Sequence, residues 1–278
     1  MGGSRGIFAQ DGGSFMKLAL AQTNIIWEDK QANLEKLEAV LKEADADFVA
    51  FPEMSLTGFS MHTDVTAEEH AESVEKVKVL AHKYQTNIGF GWVKQTAGLC
   101  ENHYSIVSPE ADLLLDYAKI HPFSYSEEDK YFRGGDYVCI GRVAGFSVGA
   151  AICYDLRFPE LFRAMTPEAE LIVVPANWPG RRSAHWKALL PARAIENQCY
   201  IAAVNCCGDM DGQYYAGDSC LYAPGGTLVA PVIKRLSGSA CEEEMLLLYD
   251  IKNDVQSVRD AFPVMSDRRD SKQFLIKS

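Results

Sequence analysis

A chain of 278 residues, 47% of them hydrophobic, can bury a sizeable core. Its 38 acidic against 27 basic residues give a formal net charge of −11, which excludes an extended phosphate-binding face, because neutralising phosphates needs clustered Lys and Arg. No apolar run approaches the roughly 18 residues of a membrane span, so neither nucleic acid nor membrane is an expected partner.

Residues 1–15, MGGSRGIFAQDGGSF, are glycine-rich and lack the basic start and apolar core of a signal peptide. They read as an extension outside the fold, with a single domain expected over 16–278. Residues 17–22 form a first predicted strand, and 30–44 carry Leu34, Leu37, Val40 and Leu41 at helical spacing. Residues 47–51 give a second strand, with Glu53 just past its end. Thr66 with Glu69 three residues on predicts a capping box that opens a helix reaching about Tyr84. Strands follow at 87–93, 103–107 and 113–118, the last delivering Lys119. Residues 121–135, HPFSYSEEDKYFRGG, read as a loop, in which Glu127 and Glu128 taken alone are ordinary solvated charges.

The run 146–152 is short and apolar but for Ser147, of the kind that forms a strand buried on both faces, and Cys153 follows it directly. Pro159 then opens a helix to about Met165. A buried strand over 170–175 leads into the turn 176–179, and residues 183–197 are helical by pattern, with Pro191 expected to kink the helix or begin a second one. A strand at 199–204, a hairpin over 215–230 turning at Pro224, Gly225 and Gly226, and a last strand at 245–251 complete the chain. Strands alternating with helices and hairpins predict an α/β fold with a mixed sheet. The eight cysteines are scattered, which favours reduced thiols in a cytoplasmic protein. The adjacent Cys206 and Cys207 lack the spacing of a zinc site. No metal and no cofactor are expected.

A carboxylate, an ammonium and a thiol thus each stand just past a predicted strand. Singly, each has an ordinary reading: a solvated Glu, an exposed Lys, a packed Cys. Together, the stretches FPEMSLTGF, YAKIHPF and GAAICYDLRFPEL, supported by VPANWP and ARAIENQCYIAAVN, resemble the nitrilase superfamily of carbon–nitrogen hydrolases from Met16 to about Pro263. The resemblance implies a four-layer αββα sandwich with two mixed β-sheets packed face to face, and subunits that pair as a homodimer or assemble further. It also implies a catalytic Glu53, Lys119 and Cys153, with a second glutamate bracing the lysine. By its distance from Gly135, Glu128 fits that role better than Glu127.

The chemistry of an amidase needs these residue types. An amide demands a strong nucleophile, stabilisation of the oxyanion and a proton for the departing nitrogen. Cys153 would attack as a thiolate whose pKa Lys119 lowers. Lys119 and the backbone N–H of Tyr154 would receive the oxyanion, and Glu53 would carry the proton. A Cys–His pair using His121 or His185 is the rival arrangement. The run CYDLRFPEL with ANWP and Gly217–Ser219 is similar to the bacterial ω-amidase group, which acts on monoamides of short dicarboxylic acids such as α-ketoglutaramate and succinamate. A deaminated glutathione amidase and an N-carbamoyl amine hydrolase are the alternatives, and a non-catalytic binding subunit is a remote one because no triad member is missing. An acidic protein that binds a small amide carrying a carboxylate needs an arginine in its pocket. Arg182, Arg157 and Arg181 are the candidates, with Trp178 as an apolar wall, while Arg193 within the 183–197 helix reads as structural.

Overall fold

In the first strand, β1 (Phe15–Gln22), Leu18 and Leu20 face one way and Ala19 and Ala21 the other, yet all four are buried. A strand buried on both faces must lie inside a layered structure. The computed structural model, which describes residues 14–239 and 241–269, has four such layers. Helices α1 (Lys30–Glu43) and α3 (Glu72–Tyr84) place Leu34, Leu37, Val40, Val74 and Val77 on the outer face of a first sheet, against Ala19, Val49 and Phe90. The inner face of that sheet, with Leu18, Phe48, Tyr104 and Tyr117, packs on Phe146, Val148, Val173 and Val204 of a second sheet. Phe162, Trp186 and Leu190 cover the far side of the second sheet.

In chain order, β2 (Phe48–Ala50), α2 (Thr63–Thr66) and β3 (Ala67–Glu68) separate α1 from α3. Strands β4 (Asn87–Lys94), β5 (Glu101–Val107) and β6 (Leu113–Ala118) follow as an antiparallel meander. The second half holds β7 (Ile140–Val143), β8 (Phe146–Ala150), α4 (Pro159–Met165), β9 (Leu171–Ala176), α5 (Ser183–Asn197) and β10 (Tyr200–Asn205). Next come β11 (Cys207–Met210), β12 (Gln213–Ala216), β13 (Cys220–Tyr222), β14 (Leu228–Val229), β15 (Val232–Arg235), β16 (Met245–Lys252), α6 (Val255–Ala261) and α7 (Val264–Asp267). The first sheet has the order β15-β16-β1-β2-β4-β5-β6, with β3 beside β4, and the second β14-β13-β10-β9-β8-β7. Both are mixed: β1, β2 and β4 run parallel, as do β8, β9 and β10, and the outer pairs are antiparallel. The αββα sandwich with two mixed sheets is therefore the observed architecture.

Several local expectations are corrected. Thr66 and Glu69 form no capping box; the Thr66 hydroxyl donates back to the carbonyl of His62, and Ala67–Glu68 pair with Val93–Lys94 as a strand. The helix begins only at Glu72, where the buried carboxylate of Glu68 accepts from Ser73 N at 2.8 Å. Pro191 lies inside one helix running from Ser183 to Asn197, held to the sheet by Trp186, Leu190 and Ala194. A third, two-stranded sheet, β11 with β12, was not expected at all. Of the extension expected over 1–15, only Ser14 and Phe15 are among the described residues. Phe15 already pairs with Lys252, and Ser14 donates its hydroxyl to the carbonyl of Gly145.

Candidate active site

Parallel strands gather their carboxyl ends on one side of each sheet, and the crevice beyond those ends is where α/β proteins bind ligands. Glu53 lies just past β2, Cys153 just past β8 and Asn177 just past β9. Glu53 is fixed through its backbone: its carbonyl accepts from Asn177 Nδ2 at 2.6 Å, and Met54 beside it is left-handed, with φ +42°. Gly91 on β4 makes that turn possible, because a Cβ there would come within 2.1 Å of the Met54 nitrogen. Cys153 itself sits at φ +47°, a strained conformation for a residue with a Cβ. Buried Asp155 holds this bend: it accepts from Ile152 N at 2.9 Å, Tyr117 Oη at 2.8 Å and His121 N at 3.0 Å. The turn is thereby tied to the end of β6, which carries Lys119.

Lys119, Glu53 and Glu128 form one buried cluster, each with 1% exposure or less. The ammonium donates to Glu53 Oε1 at 2.9 Å, and to Glu128 Oε1 and Oε2 at 3.0 and 2.9 Å. Glu53 Oε2 accepts from Asn177 N at 2.9 Å. Burial opposes the charge of Lys119, but Glu128 and Glu53 outweigh it and hold its pKa above the ordinary lysine value. Burial, with the charge of Glu53 adding to it, pushes the Glu128 carboxyl up, against the pull of Lys119. Of the acidic pair in the 121–135 loop, Glu127 is the solvated one, paired with Lys130 at the surface.

Cys153 departs from the expected thiolate. Burial and the charge of Glu53 raise its pKa well above the ordinary thiol value, and the opposing pull of Lys119 is too small to reverse this. Glu53 thus acts on Cys153 in the direction that favours the protonated thiol.

Cys153 and Lys119 line the floor of a cavity of about 200 Å³. Its walls include Trp27, Phe59, Phe123, Tyr154, Trp178 and Tyr215, with Arg157, Arg181 and Arg182 around them. The Arg182 guanidinium lies 5.2 Å from the ring centres of both Phe123 and Tyr125. That of Arg157 lies 4.9 Å from the Trp178 ring and 3.2 Å from His185 Nδ1. Among the described residues none of these three arginines is within ion-pair distance of a carboxylate, whereas Arg193 is buried away from the cavity, donating to the carbonyl of Leu156 and pairing with Glu196. His121 stacks on Phe158 and bonds Asp155, and neither it nor His185 lines the cavity. No group of three His, Cys, Asp or Glu side chains among the described residues could hold a metal ion, and no described helix is long and apolar enough to cross a membrane.

Sequence reasoning missed Asn102 and Asn177 as partners of the charged cluster and Asp155 as the brace of the Cys153 bend, and it missed the β11–β12 hairpin, which contributes Met210, Asp211, Gln213 and Tyr215 to the cavity. For the hairpin a signal existed: Asp211-Gly212 is a favoured two-residue turn, and both residues have positive φ.

The carbon-nitrogen hydrolase family profile matches residues 17–260. The chain is 32% identical to the omega-amidase YafV of Yersinia enterocolitica over 256 residues, 91% of this chain and 97% of that protein. It is 31% identical to the 2-oxoglutaramate amidase of Bacillus subtilis, over 91% of this chain and 97% of that one. Its fold is similar to that of a CN-hydrolase superfamily protein from Xanthomonas campestris, solved with an arsenic adduct in its active site, with a TM-score of 0.82 and 27% identity over 95% of this chain and 99% of that one.

Proposed function

The chain belongs to the carbon–nitrogen hydrolase family, and on that premise we propose that it is an ω-amidase, releasing ammonia from the terminal amide of short dicarboxylic acid monoamides such as α-ketoglutaramate and succinamate through a thioester on Cys153. The observation that carries this reading is a cysteine and a buried lysine at one cavity, the lysine held between two buried glutamates, with three arginines around the cavity that have no carboxylate within ion-pair distance among the described residues. Relatives named omega-amidase and 2-oxoglutaramate amidase support the substrate class.

Glu53 takes the thiol proton as the sulfur attacks the amide carbonyl. The oxyanion is received by the Lys119 ammonium and the Tyr154 backbone N–H, a donor of this kind being worth about 3 kcal/mol in the transition state. Collapse expels the nitrogen, which takes the proton from Glu53 and leaves as ammonia. Glu53, ionised again, removes a proton from water as it attacks the thioester, and returns it to the departing sulfur. Glu128 keeps Lys119 aimed at the reacting centre. Arg182 is the proposed clamp for the distal carboxylate, its guanidinium held near the Phe123 and Tyr125 rings and suited to two parallel hydrogen bonds with a carboxylate. Trp178 walls the methylene chain, and Arg157 is the second candidate.

A cytoplasmic location is supported by the absence of disulfides among eight cysteines. A homodimer or higher oligomer is what the family resemblance implies, and light scattering on the purified protein tests it. The substrate reading is tested by measuring ammonia release from succinamate, glutaramate, a nitrile and an N-carbamoyl amine in parallel. Higher kcat/KM on the two monoamides is expected. Preference for the N-carbamoyl amine would replace the reading with a carbamoylase.

A further inference from the structure

The β5–β6 register sets His103 opposite Ala118, which brings Asn102 alongside Lys119. The Asn102 carbonyl accepts from Lys119 N at 2.8 Å. Its side-chain nitrogen donates to Glu53 Oε1 at 2.8 Å and to Glu128 Oε1 at 3.3 Å. An amide nitrogen carries two hydrogens, so each carboxylate receives one. The reverse amide orientation would aim an oxygen at two carboxylates, so charge selects the observed one. This leaves Asn102 Oδ1 buried without a hydrogen-bond partner, with the residue 1% exposed. An orphaned buried acceptor destabilises the fold, and its persistence here means that the other end of the side chain is needed.

The need follows from charge. Two buried carboxylates share a single ammonium. The titratable groups facing Glu53 are Lys119 after β6, Glu128 from the 121–135 loop, Cys153 after β8, Cys206 after β10 and Tyr215 on β12. Lys119 is the one cation among them. The negative excess could be relieved by binding a proton, and a proton on the carboxylate pair removes the base. We infer that Asn102 is a positioning residue for the proton transfer, its two N–H groups keeping the Glu53–Glu128 pair ionised without adding a second cation that would compete for the oxyanion. A serine could give only one hydrogen, an aspartate would add a third carboxylate, and a glutamine is one methylene longer. The inference rests on the assignment of Glu53 as the base.

The test is the pH dependence of kcat/KM for succinamate in Asn102→Ala and Asn102→Ser proteins, with Glu53→Gln alongside. Donors to a carboxylate favour its ionised form, so losing both should move the acid limb up by about one pH unit in Asn102→Ala, and by less in Asn102→Ser, with activity largely regained above the shifted limb. A loss that is uniform across pH, with the limb unmoved, overturns the inference and leaves Asn102 a merely structural residue. If Asn102→Ala does not fold, the limb of Asn102→Ser decides alone. Acylation that survives in Glu53→Gln is a different outcome and overturns the base assignment itself.

Discussion

Replacing Lys119 with methionine keeps a side chain of similar length and removes the charge that holds two buried carboxylates together. The ammonium makes three contacts of 2.9–3.0 Å, and all three side chains are shielded from water. Taking one partner from a buried ion pair costs about 3–5 kcal/mol, which for a chain of this size is a fall in Tm on the order of 10 °C. The pH dependence has a definite sign. Lys119 has a raised folded pKa, so its contribution in the wild type is fully present below its ordinary 10.5 and is lost only as pH rises through the folded value. In the variant the carboxylates face each other uncompensated. Glu128 already lies above its ordinary 4.5 because of burial first and then Glu53; a carboxyl raised in this way favours the fold below its unfolded pKa and loses that advantage as pH rises through the folded one. The deficit of Lys119→Met should therefore grow with pH from about 4.5 upward, and melting curves at about pH 5.5 and 8 measure it. The double variant Lys119→Met/Glu128→Gln should regain much of the stability and none of the activity, and kcat should fall about 100- to 1,000-fold in both. An equal Tm loss at the two pH values, or a double variant no more stable than the single one, would refute the reasoning.

Glu53→Gln should abolish turnover yet speed alkylation of Cys153 by iodoacetamide near neutral pH, because the carboxylate whose charge helps to raise the thiol pKa is gone. Slower alkylation in Glu53→Gln would mean that Glu53 favours the resting thiolate instead. For the arginines, kcat/KM on succinamate and on neutral propionamide should be compared in Arg182→Met and Arg157→Met. A carboxylate clamp loses roughly 2 kcal/mol toward succinamate alone, as when a charged hydrogen bond is left unpaired. Equal losses on both substrates would assign the residue to packing.

The strands were legible because they are written in apolar runs, Val148 to Ile152 reading directly as buried on both faces, whereas Leu18 to Ala21 read only as a strand and the four layers came from the family resemblance. It did not carry the start of α3, because Ala67–Glu68 are claimed by pairing with β4, and tertiary pairing overrode the local capping signal. The charged residues at strand ends were legible as types, and the order of the motifs supplied their grouping. Asn102 was not legible, since a single Asn within a strand has no pattern; its place beside Lys119 exists only in the register of β5 with β6. The resting state of Cys153 was also out of reach. A nearby lysine argues for a thiolate, and only the burial of the site, with Glu53 closer in effect than Lys119, shows the balance going the other way.

The most direct measurement is mass spectrometry of protein quenched in acid during turnover of succinamate, with peptide mapping. The peptide carrying Cys153 should gain the mass of the substrate less ammonia, as a thioester that hydroxylamine removes, and Cys153→Ala should show neither adduct nor activity. Turnover with no adduct on Cys153, or a Cys153→Ala protein that still releases ammonia at more than a trace rate, would contradict nucleophilic catalysis by this cysteine.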